Sequence, residues 1–338
     1  MRNQRPAQPW PRLWLLCLTL SCLQASVALA ASAPLSTAEA RAWLERIHAA
    51  AHASNYQGIL VFSAQGRLSS ARVAHFGVRS QSYERVEMLD GPMRMSFRHN
   101  DRVFTLWPHS RIAVLEEREP QQASLRQVIE PRAADQYEMR EQGSDHVAGR
   151  EATVLLLSPS DGQRFAQRLW IDKHSGLLLR TEVLGEQQQV LESSAFSEVE
   201  IGVKPRPQSV LKPMNKLESY RQITPTHNAT QLEAEGWFLE SAVAGFKMAS
   251  CTRRILDPAS TESAAPPALQ TVFSDGLTHV SVFVEPFDPQ RHRQELTTSI
   301  GATHTLMKRK GDRWWVTVVG DVPASTLVQF YESLERRR

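Results

Sequence analysis

Few side chains in this sequence stand at spacings that could do chemistry. His48 and His52 lie four apart in a stretch patterned as a helix, which turns both imidazoles to one face as zinc ligands can be turned. Two ligands do not complete a site and the neighbouring alanines supply no carboxylate, so the pair reads as two helix histidines. His75, His99, His109 and His146 are scattered over predicted strands and turns. No Gly-x-Ser-x-Gly elbow, His-Glu-x-x-His pair, phosphate-binding loop or dinucleotide fingerprint occurs, and Cys251, beside Thr252-Arg253, has no adjacent histidine. The expectation is a binding protein and not an enzyme, with no catalytic residue, metal or cofactor.

Arginine is the more suggestive residue. Nine of them recur from Arg67 to Arg118 and could clamp phosphates or carboxylates bidentately along a sheet rim. Glu84, Glu87, Glu116, Glu117 and Glu119 share the stretch, so a charged outer face with paired signs accounts for most of them.

The elements that must position these groups are mostly strands. A helix is predicted over Thr37 to His52, capped by Ser36 or Thr37, with Trp43, Leu44 and Ile47 as its apolar stripe. The period then changes to two: ten runs between Gly58 and Ile201 read as strands, many separated by turns such as Asp90-Gly91-Pro92 and Lys173-His174-Ser175-Gly176. Gln121 to Gln136 reads as a helix over the sheet. So long an antiparallel meander must twist and curl, which creates a concave face. Phe165, Leu169 and Ile171 point to one side of their strand, and Met95 and Phe97 alternate likewise with Arg94 and Arg98. That apolar side is expected to be core, part of it a greasy cavity.

Four prolines among polar residues between Gly202 and Gly236 mark a linker and a candidate hinge, with a short helix around Lys216 to Arg221. Beyond it a mixed domain has strands over Phe246–Cys251, Leu269–Phe273, Thr278–Val284, Ala302–Lys308 and Trp314–Val319, a mobile loop over Asp257–Pro267 and a closing helix after Pro323.

The first thirty residues resemble an export signal: Arg2, Arg5 and Arg12, an apolar run Leu13 to Leu20 too short to span a bilayer, and Ala28-Leu29-Ala30 as a cleavage site. Its removal takes away three positive charges and no negative ones, so the formal +3 of the chain vanishes and no net charge for binding nucleic acid remains. Cys17 and Cys22 go with it, leaving Cys251 alone, which excludes an internal disulfide. The bacterial periplasm is the expected location.

Asn55-Tyr56-x-Gly58, Arg72-Val73-Ala74-His75, the run Tyr83 to Pro92, Gln167 to Asp172 and Gly176 to Arg180 together resemble the RseB/MucB family of periplasmic regulators. Gly236-Trp237, Phe273 to Leu277, Ser281 to Val284 and Val319 to Pro323 extend the resemblance through the second domain. Met93-Arg94-Met95-Ser96 departs from the family's usual sequence after the Gly-Pro turn.

The resemblance implies an α+β chain: a large N-terminal half-open antiparallel β-barrel of the LolA/LolB type over 31–201 with helices on its concave face, a linker over 202–235, and a smaller C-terminal mixed α/β domain over 236–338 that binds an anti-sigma factor. It implies a partner, the periplasmic segment of a membrane anti-sigma factor of the RseA/MucA type, which the protein shields from proteolysis until a lipid or lipopolysaccharide signal releases it and with it the envelope-stress (sigma-E/AlgU) sigma factor. A second copy of the chain is a further candidate partner, and a periplasmic lipid or lipoprotein carrier is the alternative function. Candidate lipid-binding residues are Ile59, Val61, Phe97, Phe104, Leu169 and Ile171; candidate partner anchors are Trp237, Phe283, Trp314 and Trp315.

Overall fold

The computed structural model describes residues 33–117, 129–225, 227–255 and 267–337. The expected signal 1–30, the first half of the expected helix 121–136 and nearly all of the loop 257–267 lie outside these residues. The chain is mostly β with few helices.

Helix α1 (Thr37–Ala53) begins on a reciprocal cap: the Glu39 amide donates to the Ser36 hydroxyl (3.3 Å) and the Ser36 amide to the Glu39 carboxylate (2.8 Å), satisfying donors that a helix start leaves free. Then come β1 (Tyr56–Ala64), β2 (Arg67–Val78), β3 (Gln81–Met88), β4 (Met95–His99), β5 (Arg102–Trp107), β6 (Ile112–Glu117), β7 (Tyr137–Val147), β8 (Arg150–Pro159), β9 (Ala166–Asp172), β10 (Leu178–Leu184), β11 (Val190–Ile201), α2 (Gln208–Met214) and β12 (Arg221–Ile223). Among the described residues these strands form one sheet in the order β12-β6-β5-β4-β3-β2-β1-β11-β10-β9-β8-β7, antiparallel except where β12 runs parallel to β6. β7 and β11, four places apart and so about 19 Å apart in a flat sheet, approach within 8 Å, so this end of the sheet curls.

The two helices cover opposite faces. Leu60 of β1 pairs with Ala71 and Phe196, and through Ser194 and Thr181 the register carries this face to Leu169 and Ile171, beneath Leu44 and Ile47 of α1. Phe97 pairs with Arg85 and Phe104, on the other face, and both phenylalanines pack beneath Val210 and Met214 of α2. The expectation of a single apolar side shared by Leu169 and Phe97 is therefore corrected. Alternation within a strand tells which residues share a face, but only interstrand register tells which faces join. On the α1 face of β2 to β6 the side chains of His75, Glu84, Arg98 and Glu116 are buried, which corrects the place of Glu84, Arg98 and Glu116 on a charged outer surface.

The linker is bolted down at several points. Its helix lies at Gln208–Met214, earlier than predicted, and packs on the large sheet; β12 extends that sheet, and β13 (His227–Ala229) joins the second one. This attachment corrects the free hinge. Beyond it come β14 (Trp237–Leu239), β15 (Lys247–Arg254), β16 (Ala268–Ser274), β17 (His279–Pro286), β18 (Leu296–Ile300), β19 (Thr303–Lys310), β20 (Trp314–Gly320), α3 (Ala324–Ser333) and β21 (Leu334–Arg336). The second sheet has the order β13-β15-β16-β17-β20-β19-β18, and Leu327 and Phe330 of α3 close its inner face.

The turn between β16 and β17 plugs this small sheet into the large one. Asp275 Oδ2 accepts from Arg164 Nε at 2.6 Å and from the Tyr137 hydroxyl at 3.1 Å, while Oδ1 accepts from the amides of Leu277 and Thr278, each at 2.8 Å. Both side chains of the Arg164–Asp275 pair are fully buried. Arg164 also donates to Asp161 and to the Ala244 carbonyl, each at 2.6 Å, and lies 4.6 Å over the ring of Phe246. Burial opposes the charge on Arg164, and its bonds to Asp161 and Asp275 restore it; burial and the Asp275 charge raise the Tyr137 phenol well above its usual range. The Glu130 amide donates to the Gly276 carbonyl at 2.7 Å, and Leu277 enters the core made by Ile129, Ala133 and Tyr137. Gly276 has φ +102°, and a Cβ there would lie 2.9 Å from Arg132 Cγ, so only glycine fits without displacement.

Removing one partner of a buried, satisfied ion pair leaves the other charge stranded, so Asp275→Ala is expected to lower stability by about 3–5 kcal/mol. A urea midpoint within error of the parent would refute this. Asp172, at the β9–β10 turn, gives a pH prediction. Burial alone would raise its carboxyl, but donation from Arg150 (2.6 Å) and from the Ser175 amide and hydroxyl (2.7 Å each) outweighs it and carries the pKa from 3.8 to about 2. A depressed carboxylate stabilises the fold above its unfolded pKa and loses that contribution as pH falls through its folded one. Urea unfolding of Asp172→Asn should show a loss of ~2–3 kcal/mol at pH 7 that shrinks between about pH 4 and pH 2; a loss independent of pH would contradict the assignment.

Candidate functional site

A small apolar cavity of about 50 Å³ lies between α1 and the large sheet, lined by Ile47 and Ala51, by Tyr56 and Leu60 of β1, by Leu177 to Thr181, and by Ser194 and Phe196 of β11. The rings of Tyr56 and Phe196 meet edge to face at 5.8 Å and 85°. The Thr181 and Ser194 hydroxyls bond each other at 2.9 Å, so these two polar groups in the wall are already satisfied. A water needs roughly 10–15 Å³ of such space, so the cavity has room for a few waters and not for an acyl chain. Its removable wall is α1, held by side-chain packing and by contacts such as His48 Nδ1 with the Ile129 carbonyl (3.1 Å) and Arg41 with Asp135 (2.9 Å).

None of the six expected lipid residues lines this cavity. Leu169 and Ile171 share its face but lie fully buried under α1. Phe97 and Phe104 are core beneath α2. Ile59 and Val61 alternate with the lining Leu60 and point to the other side of β1, which corrects their inward orientation. β1 is apolar on both sides, with Tyr56, Leu60 and Phe62 against Ile59 and Val61, so period two could not choose between them. Tyr56 and the run Leu177 to Arg180 belong to the motifs that carry the family resemblance and were the available signal.

A second space, about 320 Å³, separates the two sheets at another meeting point. Ser63, Gln65 and Gly66 of the β1–β2 turn and Val190 and Leu191 of β11 face Ser299, Gly301 and His304 across it. Gln65 Nε2 donates to the Ser299 carbonyl at 3.2 Å, and Gly301, at φ +60°, sits where a Cβ would come 3.0 Å from both Ala64 Cβ and Glu192 Oε2. The Glu192 carboxyl is raised by burial and by the nearby Asp321 charge, partly offset by the Ala302 amide.

The aromatic anchors are placed unevenly. Trp237 is core, packed edge to face against Trp314 (5.4 Å, 84°), whose ring lies under Arg336 at 4.2 Å. Trp315 faces the opposite side of β20, as alternation requires, and is buried under a parallel His292 ring at 4.8 Å. Phe283 is half-buried on the outer face of the small sheet. The sequence reasoning missed β18, the short outer strand beside the cleft. Cys251 is buried and accepts from the Thr271 hydroxyl at 3.4 Å, and burial raises its thiol. Among the described residues no cluster of three or more His, Cys, Asp or Glu could hold a metal ion.

Residues 39–215 match the MucB/RseB N-terminal domain and residues 231–335 the MucB/RseB C-terminal domain. The chain is 28% identical over 308 residues to the sigma factor AlgU regulatory protein MucB of Pseudomonas aeruginosa, covering 86% of this chain and 88% of that protein. It is 23% identical over 326 residues to the sigma-E factor regulatory protein RseB of Haemophilus influenzae, covering 95% and 98%. The solved complex of Pseudomonas aeruginosa MucA/MucB superposes with TM-score 0.66 at 25% identity, covering 89% of this chain and 99% of that one. With both domains matched, in order and over most of its length, the chain belongs to the MucB/RseB family.

Proposed function

We propose that this protein is a periplasmic negative regulator of the envelope stress response. It binds the periplasmic segment of an anti-sigma factor of the RseA/MucA type, shields that segment from regulated proteolysis and lets go on a lipid or lipopolysaccharide signal. The observation that carries this reading is the match to both family domains, together with a solved relative in complex with MucA. The curled large sheet with α1 against one face is read as the half-open barrel of the LolA/LolB type.

The geometry supplies a route from lipid to partner. The cavity is too small for an acyl chain unless α1 moves outward, and α1 packs on Ile129, Ala133 and Ala134, the same turn that receives Leu277 and Gly276 of the small domain. Lipid can shift the complex only through a different affinity for its bound and free forms, and opening of α1 against this turn provides one. The small size of the cavity favours a sensor over a carrier, because a carrier needs room for cargo in its resting form.

Capture on the immobilised periplasmic segment of the anti-sigma factor of its own organism should retain the protein, and lipopolysaccharide should elute it. Ala51→Leu, which adds bulk from the α1 wall, should keep the capture and lose the elution. No retention of the parent protein refutes the regulatory reading; unchanged elution of Ala51→Leu removes the cavity from it.

A further inference from the structure

We propose that β18 is an acceptor edge: an extended stretch of the anti-sigma segment adds to the small sheet as a further strand, in the cleft between β18 and the β1–β2 turn. This rests on the regulatory reading above and specifies where that partner docks. Natural sheets blunt their outer strands with charges, bulges or short length, because a bare edge recruits other chains. Among the described residues, three of the four outer strands of the two large sheets follow this rule. β7 carries Glu138, Arg140, Glu141 and Asp145 and is bulged after Glu141, and β12 and β13 have three residues each. β18 has none of these: Leu296-Thr297-Thr298-Ser299-Ile300 has no charge, no proline and no bulge, Leu296 and Ile300 are 42% and 65% exposed, and its cover is the β1–β2 turn, reaching it through the Gln65 side chain.

The outward backbone groups of this strand are identifiable. Gln65 reaches the Ser299 carbonyl from across the cleft, so Ser299 directs its polar groups away from β19, and alternation along an antiparallel pair gives Thr297 the same direction. The Gln65 amide thus occupies one acceptor that a paired strand would use. On the outer face, Leu296 stands beside Met307, and the register continues through Thr317 to the half-buried Phe283. An incoming strand with apolar residues at alternate positions would extend this row, the usual division of labour in strand addition between backbone affinity and side-chain selection.

The occupant is a single extended segment and not a second copy of this chain. The cleft is walled on its far side by Ser63, Gln65, Gly66 and Leu191, close enough for Gln65 to bridge it. A threaded peptide fits between such walls. A second β18 would arrive attached to its own sheet and its own β1–β2 turn, and would meet them.

The test uses the full chain and the same anti-sigma segment. Thr297→Pro removes an outward amide while sparing the β19 ladder, a change that edge strands tolerate. It is expected to weaken capture at least tenfold with the thermal midpoint little changed, and parent-like binding by this variant overturns the edge assignment. Hydrogen exchange on the unaltered protein gives an independent reading: the amides of Thr297 and Ser299 should exchange at least tenfold more slowly with the segment bound. Exchange there unchanged by the segment overturns the proposal, and slowing that follows protein concentration without the segment reassigns the edge to a second copy. Capture that persists in Thr297→Pro sinks only this proposal, whereas no capture by the parent sinks the regulatory reading and this one with it.

Discussion

The relation between the two sheets depends on one buried carboxylate. Asp275 accepts four hydrogen bonds, two from its own turn and two from the large sheet, and Arg164 opposite it donates to Asp275, Asp161 and Ala244. A buried ion pair adds little over well-packed apolar groups, because desolvation consumes most of the Coulomb gain, yet breaking one is expensive. The consequence is geometric. Only an arrangement that brings Arg164, Tyr137 and the β16–β17 turn together satisfies every member, so the small sheet has one seat on the large one.

That seat is also where the rest of the large domain is felt. Leu277 and Gly276 rest on the Pro131–Asp135 turn, and α1 rests on the same turn from the other side through Ala40, Leu44 and Ile47. A shift of α1 therefore reaches the small domain through two packed contacts and no flexible connection. Close-packed contacts of this kind transmit displacement because they have no slack to absorb it. The linker reinforces the point: with α2 packed on the large sheet and β12 and β13 paired into different sheets, the segment between the domains is a brace.

The two spaces differ in kind. The cavity under α1 is small and apolar, with a helix for one wall, whereas the cleft beside β18 is larger and lined by turns, hydroxyls and an amide. A greasy ligand and an extended polypeptide are the two kinds of guest these walls suit.

How much of this was legible in the sequence follows from what each signal measures. A cap at Ser36 or Thr37 located the start of α1, and alternation with turn residues located most of the strands, because capping and period are local properties. β7 escaped because Glu138 to His146 carries charge on both sides, and β18 because Leu-Thr-Thr-Ser-Ile has little contrast between its faces. Side could not be assigned for the same reason that register is long-range: Phe97 and Leu169 alternate equally well within their own strands, yet pairing through seven neighbouring strands sets them under different helices. Sequence alone determined the mostly β content, the order of the two domains and, through its ordered motifs, the family. Tertiary structure alone decided the size of the cavity, the seating of Asp275 on Arg164 and the cleft between β18 and Gln65, since each is made by residues more than 100 positions apart.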